Sequence, residues 1–336
     1  MKEELEQWLG APVEEVKKLF GDASYRTYYR VRSAHRSFVL MELPEGKLSA
    51  SEEITNLASK PSEMPFLNVQ RFLKNLNVSV PTIEKYSETH RWVLLEDLGD
   101  TKLFDLVAKT DEKTLLSWYQ KALDLLIELK NKTLHPTAMH QQECVAFQRS
   151  FDAALFNWEW DHFREYGLEA RGISLTSDDQ KHFTELTQKI TQELLELPQG
   201  FTHRDYQSRN LMWYKNQLYL IDFQDALIGP AIYDVVSLLR DSYVALSPKI
   251  LDTLLQYYCQ KTGKSKSVFQ NQFDLQTVQR KLKDAGRFVY IDRVKRNPNF
   301  LPYLPASLGY VREALTRLTK HQDLLELLSK YIPEWR

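Results

Sequence analysis

A change in the apolar pattern along the chain most constrains its fold. Segments 25–32, 36–43 and 91–96 are rich in aromatic and β-branched residues, and residues 33–35 make a short hairpin link between the first two. From about residue 101, apolar residues recur every three or four positions, which predicts helices. We therefore expect a small antiparallel sheet followed by a mainly helical region.

Helices and one further hairpin complete the prediction. Two helices are expected beside the sheet, at 49–59, which opens with Ser and an acidic first turn, and at 67–76, which ends before Pro81. In the second region a β interlude at 210–214 and 218–222 interrupts the helices. The helices expected there are 114–130, 143–166, 178–196, 231–244, 249–261, 274–292 and 306–331.

The two patterns divide the chain into two lobes. We expect an α+β, bilobal fold with a small antiparallel-sheet N-lobe over residues 1–97 and a larger, mainly helical C-lobe over 98–336. Many α+β proteins follow this order of elements, so the pattern alone does not name the fold. The choice among α+β folds therefore has to come from residues that can take part in catalysis or binding.

Composition excludes several classes of protein. The 44 basic and 45 acidic residues give a net charge of -1, so nothing indicates a general attraction to nucleic acid or to an anionic membrane. No apolar run is long enough for a signal peptide or a spanning helix. Cys144 and Cys259 lack the spacing of a disulfide framework or zinc site. We expect a cytoplasmic protein with a small-molecule substrate and no obligate protein partner.

Segment 203–234 contains the residues best suited to chemistry. Its HRDxxxxN pattern places Asp205 five residues before Asn210, and Asp222 ends the following hairpin. Phosphoryl transfer needs a carboxylate that orients the attacking hydroxyl and accepts its proton, which Asp205 would supply. It also needs oxygen ligands for Mg²⁺, which Asn210 and Asp222 would supply once the hairpin returns the chain to the loop.

Four polar residues beside this set have two interpretations each. Arg204 and Arg209 flank Asp205 and either bind substrate or phosphate oxygens through their guanidinium groups or form salt bridges within the loop. Gln224 and Asp225 follow Asp222 directly and either face the acceptor or form a tight turn.

Three more residues are assigned supporting or peripheral roles. His203 is expected to orient the catalytic loop through hydrogen bonds, and Asp234, which precedes an apolar helix, to cap that helix or to brace the loop. Arg293 lies in the basic stretch 287–296, which either reaches an acidic group of the acceptor or forms a solvated helix face.

Four segments resemble a known superfamily. They are HRDYQSRNLM (203–212), LIDFQDALIGPAIYDVVSLLRD (220–241), GDASYRTYYRV (21–31) and VLLEDLGD (93–100). Together they resemble the aminoglycoside phosphotransferase and choline kinase superfamily, and within it the bacterial anomeric kinases of N-acetylmuramate and N-acetylglucosamine that serve cell-wall (peptidoglycan) sugar recycling. The resemblance implies a protein-kinase-like fold, Mg²⁺ as cofactor, and ATP-dependent phosphorylation of a sugar at its anomeric hydroxyl.

The resemblance also assigns roles residue by residue. Asp205 matches the catalytic Asp, Asn210 the loop Asn and Asp222 the metal-binding Asp. The positions that match the nucleotide-binding parts, namely the hinge and the phosphate-covering loop, are Glu96, Asp97 and Leu98, and Ala23, Ser24 and Tyr25. Gly21 is the only glycine in that loop, so a glycine-rich phosphate cradle is not evident.

One position departs from the superfamily pattern. Members commonly carry a Lys on the strand that here includes Met41, which occupies the expected Lys position. Either Arg26, Arg30 or Lys47 contacts the phosphates instead, or nucleotide binding is weak. Two alternatives to the amino-sugar kinase therefore stay open: a kinase of another small alcohol, such as an aminoglycoside, choline or another sugar, and a nucleotide-binding pseudokinase.

Overall fold

A computed structural model describes residues 1–19, 26–43, 63–134 and 143–336 of the chain. Its N-terminal region is a five-stranded antiparallel sheet in the order β1-β2-β3-β5-β4. The strands are β1 (Val13–Leu19), β2 (Thr27–Ser33), β3 (Arg36–Glu42), β4 (Ile83–Ser87) and β5 (Trp92–Glu96). The antiparallel N-terminal sheet of the expected fold class is therefore confirmed.

The two faces of this sheet enter different cores. Leu40 of β3 packs on the outer face against Leu5 of helix α1 (Lys2–Leu9). Its neighbour Met41 pairs with Tyr28 and points to the opposite face, where it is fully buried in the main core. Successive strand residues alternate between faces, so this position lies on the face that meets the rest of the protein.

Some elements of the sheet region were not predicted. Strand β1 is a charged edge strand in which only Val13 is buried, so its sequence lacks an alternating apolar pattern. Strand β4 is similarly exposed along most of its length. Helix α2 (Pro65–Asn75) corresponds to the expected 67–76, and the expected helix 49–59 lies outside the described residues.

The remainder of the chain is mainly helical, as predicted. Its helices are α3 (Leu103–Val107), α4 (Glu112–Leu134), α5 (Ala153–His162), α6 (Ser177–Glu196), α7 (Tyr233–Leu239), α8 (Pro248–Thr262), α9 (Lys266–Arg293), α10 (Leu304–Arg317) and α11 (Gln322–Tyr331). The expected helix 143–166 contains a 3₁₀ turn, α5 and a π turn, Phe163–Leu168, whereas 306–331 is divided between α10 and α11. No helix in the described ranges is long and apolar enough to span a bilayer.

Two short ribbons hold the segment 203–226 in place. The predicted hairpin consists of β7 (Leu211–Tyr214) and β8 (Gln217–Leu220), and the Trp213 N–H donates to the Thr101 carbonyl at 2.8 Å. Strands β6 (Gln199–Thr202) and β9 (Leu227–Pro230), which were not predicted, pair just before and just after this segment. The ribbon β6–β9 thereby brings the two ends of the segment together.

Helix α9 is the longest helix and crosses the C-terminal region. Its 28 residues extend over about 42 Å, and it packs against α10 and the π turn. A Cβ atom added at Gly286 would lie 2.8 Å from the Phe163 Cα atom, so glycine permits this close approach. We retain the boundary between residues 97 and 98 as a proposal: β5 ends at Glu96 and the first C-terminal helix, α3, begins at Leu103.

Candidate active site

Asp234, in the first turn of α7, contacts the start of the loop 203–210. Its Oδ1 accepts the Arg204 N–H at 3.0 Å, and its Oδ2 accepts the His203 N–H at 3.0 Å and the Lys130 ammonium at 2.7 Å. The carboxylate is fully buried, so Lys130 supplies the charge partner that burial requires. This arrangement fits the brace expected for Asp234.

His203 links the loop to the end of the hairpin. The Asp205 N–H donates to His203 Nδ1 at 3.2 Å, so the ring proton lies on Nε2, which donates to the Ile221 carbonyl at 3.0 Å. The ring is fully buried. One side chain therefore sets the distance between the backbone at Asp205 and the residue that precedes Asp222.

Asp205 is paired with a cation from a distant helix. Arg280 of α9 donates to its Oδ1 at 3.0 Å and also to the Arg204 carbonyl at 2.6 Å. Burial opposes ionisation of Asp205, but the charges of Arg280, Lys283 and Arg204 outweigh it and hold the pKa of this carboxyl well below its ordinary value. The carboxylate, about one-third exposed at 34%, is thus fixed in direction and ionised throughout the physiological pH range.

Asp222 has neutral partners instead. Gln224 Nε2 donates to its Oδ1 at 2.9 Å, and Asn210 Nδ2 lies 3.5 Å from its Oδ2. Burial and the negative charge of Asp205 raise the pKa of Asp222. The positive charge of Arg26 favours ionisation of Asp222, but burial and Asp205 outweigh it, so the pKa stays raised.

The geometry around Asp222 fits a magnesium ion. Asn210 Nδ2 donates to the Asp205 carbonyl at 2.9 Å, which leaves the amide oxygen of Asn210 available as a ligand beside the Asp222 carboxylate. In the parts of the chain that the structure describes, no three His, Cys, Asp or Glu side chains group as a metal site. Two protein oxygens with phosphate oxygens and water are the ligand set that Mg²⁺ favours.

The side chain of Arg204 points into the protein interior. Its guanidinium is buried, lies over the Phe151 ring and pairs with Glu159 at 3.3 Å, while its backbone adopts φ of 75°. A buried guanidinium needs a carboxylate partner. Of the two interpretations given for Arg204, substrate binding or a salt bridge, the structure therefore favours the salt bridge. We therefore do not retain Arg204 as a substrate ligand.

Arg209 lies in an aromatic cage. Its guanidinium carbon is 3.8 Å from the Tyr243 ring centre and 5.0 Å from that of Phe104, and it donates to the Tyr303 hydroxyl at 3.0 Å. The side chain is half-buried. These contacts fix Arg209 next to the loop, and its role in substrate binding stays a prediction.

Gln224 and Asp225 form part of the support of Asp222. Gln224 is buried, and its amide nitrogen donates both to Asp222 and, at 3.1 Å, to Asp225 Oδ2. Gln224 therefore orients the proposed metal ligand, whereas the half-buried Asp225 stays a predicted acceptor contact.

The structure does not bring Arg293 to the site. It is the last residue of α9, 13 positions beyond Arg280, which places it about 20 Å farther along the helix axis. Its side chain is 61% exposed and lies 3.4 Å from Asp292. Arg293 therefore belongs to a solvated helix face, and the alternative contact with the acceptor is not retained.

The hinge segment is held by the sheet. Arg30 of β2 donates to Asp97 at 2.8 Å and to Asp100 at 2.9 Å, and the Ser37 hydroxyl also donates to Asp97. Glu96 Oε2 accepts the Thr82 hydroxyl at 3.2 Å. The carboxylates at the hinge are thus engaged within the protein, and the Glu96 N–H donates to the Thr82 carbonyl at 2.9 Å. Adenine binding by the hinge backbone stays a prediction.

An apolar cluster, Leu98 with Met212 and Tyr219, lies beside this segment. Met41 lies in the main core, and Arg30 is committed to the hinge, so neither contacts phosphate in this arrangement. Among the remaining expected nucleotide contacts, Ala23, Ser24, Tyr25 and Lys47 lie outside the described residues.

Several residues of the site were not found from the sequence. Arg280 is 75 positions from Asp205, Lys130 is 104 positions from Asp234, and Asp241 accepts both the N–H and the hydroxyl of Ser208. Each lies inside a helix or at its end, where charged residues are common, so no local signal distinguishes them.

Comparisons with known proteins identify the family of the chain. The model of the phosphotransferase enzyme family matches residues 15–267. The N-acetylmuramate/N-acetylglucosamine kinase of Pseudomonas aeruginosa is 29% identical over 334 residues, covering 96% of this chain and 90% of that protein. The enzyme of the same name from Pseudomonas putida is 27% identical, with the same coverage of both chains.

Solved structures agree on the fold. The choline kinase LicA from Streptococcus pneumoniae superposes with a TM-score of 0.60 at 14% identity, covering 95% of this chain and 97% of that one. An ADP-bound aminoglycoside phosphotransferase, APH(2'')-Ib, superposes with a TM-score of 0.57 at 16% identity, covering 93% and 97%. The kinase-like fold is therefore confirmed, and the family match covers well over half of the sequence. The chain belongs to the phosphotransferase enzyme family.

Proposed function

We propose that this enzyme transfers the γ-phosphoryl group of ATP to the anomeric hydroxyl of N-acetylmuramate or N-acetylglucosamine. Curated relatives with this substrate pair in their names extend over almost the whole chain. The observation that carries the reaction type is the position of Asn210, whose amide donates to the Asp205 carbonyl and lies 3.5 Å from Asp222. This arrangement supports Asp205 as a proton acceptor beside a pair of hard oxygen ligands.

In the proposed mechanism Asp205 orients the C1 hydroxyl and accepts its proton late in the transfer. The ion pair with Arg280 holds the pKa of Asp205 low, so this carboxylate is a weak base whose main contribution is alignment. A weak base suffices because the transition state of phosphoryl transfer is loose and the hydroxyl loses its proton only as the new bond forms.

Asn210 and Asp222 would hold Mg²⁺. When bound, the ion would supply positive charge that neutralises negative charge on the transferring phosphoryl group. Gln224 fixes one oxygen of Asp222, which leaves Oδ2 directed to Asn210. These side chains therefore position the ligands before substrate enters.

Arg26 is the cation we assign to the phosphates in place of the missing strand Lys. It precedes β2, and its charge acts on Asp222 and on Tyr28, which pairs with Met41 across the sheet. It therefore lies on the side of the cleft where phosphates next to the magnesium ligands would pass. An ADP-bound family neighbour supports ATP as the co-substrate.

We place the reaction in the cytoplasm, where ATP is available, with cell-wall amino sugars as the acceptors that it recycles. Both cysteines of the chain, Cys144 and Cys259, are free thiols in the structure. Reduced thiols fit that compartment.

The test is Mg²⁺-dependent ADP release from ATP by the purified protein. N-acetylmuramate, N-acetylglucosamine, choline and an aminoglycoside are supplied in parallel as acceptors. We expect turnover on the two N-acetyl sugars and none on a 1-O-methyl glycoside, because methylation removes the attacking hydroxyl. Turnover on choline or the aminoglycoside alone would keep the reaction and reject the sugar. ATP binding without turnover on any acceptor would point to the pseudokinase.

A further inference from the structure

Helix α9 presents a row of cations next to Asp205. Arg280, Lys283 and Arg287 are three and four positions apart, so they occupy one face of the helix. Arg280 fixes the start of this row at the catalytic loop, 3.0 Å from Asp205 Oδ1. Lys283 is one helical turn farther on, next to the space in which an acceptor must lie to reach Asp205.

The charges in this row do not balance. Asp284 is shared by Arg280 at 3.2 Å, Lys281 at 2.7 Å and Lys283 at 3.6 Å, so three cations share one carboxylate. Asp205 adds a second negative charge, and it is hydrogen-bonded to Arg280. Cationic charge therefore exceeds anionic charge on this wall of the cleft.

Lys283 is the member of the row with the least satisfied ammonium group. Arg280 and Lys281 each donate several hydrogen bonds within the protein. The Nζ of Lys283 makes no hydrogen bond to any residue in the described ranges, because 3.6 Å to Asp284 exceeds hydrogen-bond distance. Its side chain is only 16% exposed, so few water molecules replace those partners.

The neighbouring charged groups in the described ranges are already engaged with other partners. His162 of α5 is neutral, because burial and the charges of Arg287 and Lys283 lower its pKa to about 3. The Glu159 carboxylate, whose charge also acts on Lys283, accepts from Arg204 at 3.3 Å and from Gln279. Among the described residues, none accepts a hydrogen bond from Lys283, which leaves its ammonium group available to an acidic ligand.

We propose that Lys283 is a specificity-determining residue that binds the carboxylate of an acidic amino-sugar acceptor while Asp205 holds its reacting hydroxyl. The inference rests on the proposed function and assigns the lactyl carboxylate of N-acetylmuramate to this ammonium group. N-acetylglucosamine lacks that carboxylate and gains nothing from Lys283. The residue therefore discriminates between the two acceptors rather than supporting turnover in general.

The experiment compares steady-state kinetics of Lys283→Met on the two sugars. A charge-assisted hydrogen bond contributes about 1.5 to 3 kcal/mol, so we expect KM for N-acetylmuramate to rise about 10- to 100-fold. We expect KM for N-acetylglucosamine to change by less than about twofold, a free-energy change under about 0.5 kcal/mol. Because the charge of Lys283 also acts on Asp205, kcat should change by the same factor on both sugars. Lys283→Arg should restore most of the affinity for N-acetylmuramate, since it keeps the charge.

A matched control is Lys266→Met on the same helix. Lys266 lies 17 residues, or about 25 Å, before Lys283 and forms only a surface ion pair with Asp252, so neither KM should change. Thermal unfolding of each variant shows whether the fold is kept.

Three outcomes overturn the proposal. An equal rise in KM for both sugars would mean that Lys283 acts through the fold, and a raised KM for ATP would assign it to phosphate. Unchanged KM values would remove Lys283 from the acceptor site. In each of these cases the wild-type enzyme still phosphorylates the sugars and the proposed function stands. A wild-type enzyme inactive on both sugars would overturn the function and this inference together.

Discussion

Asp205 and Asp222 are joined through Asn210, but their half-buried carboxylates are stabilised in opposite ways. Asp205 is paired with a cation of the fold, Arg280, and its pKa is lowered. Asp222 has the neutral amides of Gln224 and Asn210 as neighbours, and its pKa is raised. The first carboxylate has its charge partner within the protein, and for the second we propose a bound magnesium ion.

The largest effect we expect is the loss of turnover in Asp205→Asn. Removal of a positioned proton acceptor should lower kcat about 10²- to 10⁴-fold and leave the affinity for Mg²⁺-nucleotide within about threefold of wild type. ADP release measures the first quantity and nucleotide titration the second. Near wild-type turnover in this variant would show that Asp205 is not the base.

The second expected effect is the reverse pattern in Asp222→Asn. This change removes a charged metal ligand, so the thermal shift that Mg²⁺ with ATP produces should disappear and kcat should fall about 10²-fold or more. ATP without metal is the control, because its binding should change little. If the variant keeps its magnesium-dependent shift, the metal site lies elsewhere.

The third expected effect is a difference in the stability of the two variants without ligand. Asp205→Asn breaks the pair with Arg280 and should cost about 1 to 2 kcal/mol, a figure reduced for the partial exposure of this carboxylate. Asp222→Asn removes a charge that burial and Asp205 disfavour, and it should stabilise by about 1 kcal/mol or leave stability unchanged. Urea unfolding without metal or nucleotide measures both, and equal losses would contradict the contrast.

The smallest effect is the pH dependence of these two stability differences. Because the folded-state pKa of Asp205 is depressed, its contribution is full above the unfolded-state pKa of about 4 and is lost as pH falls through the folded value. Because the folded-state pKa of Asp222 is raised, its ionised carboxylate destabilises the folded protein. This destabilisation disappears as the carboxylate is protonated, at a higher pH than the one at which Asp205 is protonated. Between pH 7 and pH 4, the advantage of Asp222→Asn should therefore shrink before the deficit of Asp205→Asn does. Parallel unfolding curves across that range would contradict this order.

The local part of the site could be predicted from the sequence because spacing determines it. Asp205, Asn210 and Asp222 lie within 18 residues, and a hairpin between the last two returns the chain whatever the rest of the protein does. The roles assigned to them stay predictions, whereas the fold class is confirmed. Strand β7 and strand β8 were recognisable for the same reason, since their turn and their apolar residues are adjacent.

The remaining contacts could not be read from the sequence because they depend on tertiary packing. Arg280 and Arg293 lie on one helix and are both basic, but only the former reaches Asp205. The burial of Arg204 depends on Glu159, 45 positions away. Strand β1 was missed because a charged edge strand is defined by its hydrogen bonds to β2 rather than by its side chains.

The clasp formed by Arg30 ties the chain after β5 to the sheet, because Arg30 holds both Asp97 and Asp100. The next residue, Thr101, accepts the Trp213 N–H of the hairpin that ends at the proposed magnesium ligand. A second link joins the same hairpin to the N-terminal region, since the Leu220 N–H donates to the Ser79 carbonyl at 2.8 Å. The hairpin is therefore anchored to the N-terminal region at two points, and the position of Asp222 is coupled to that of the sheet.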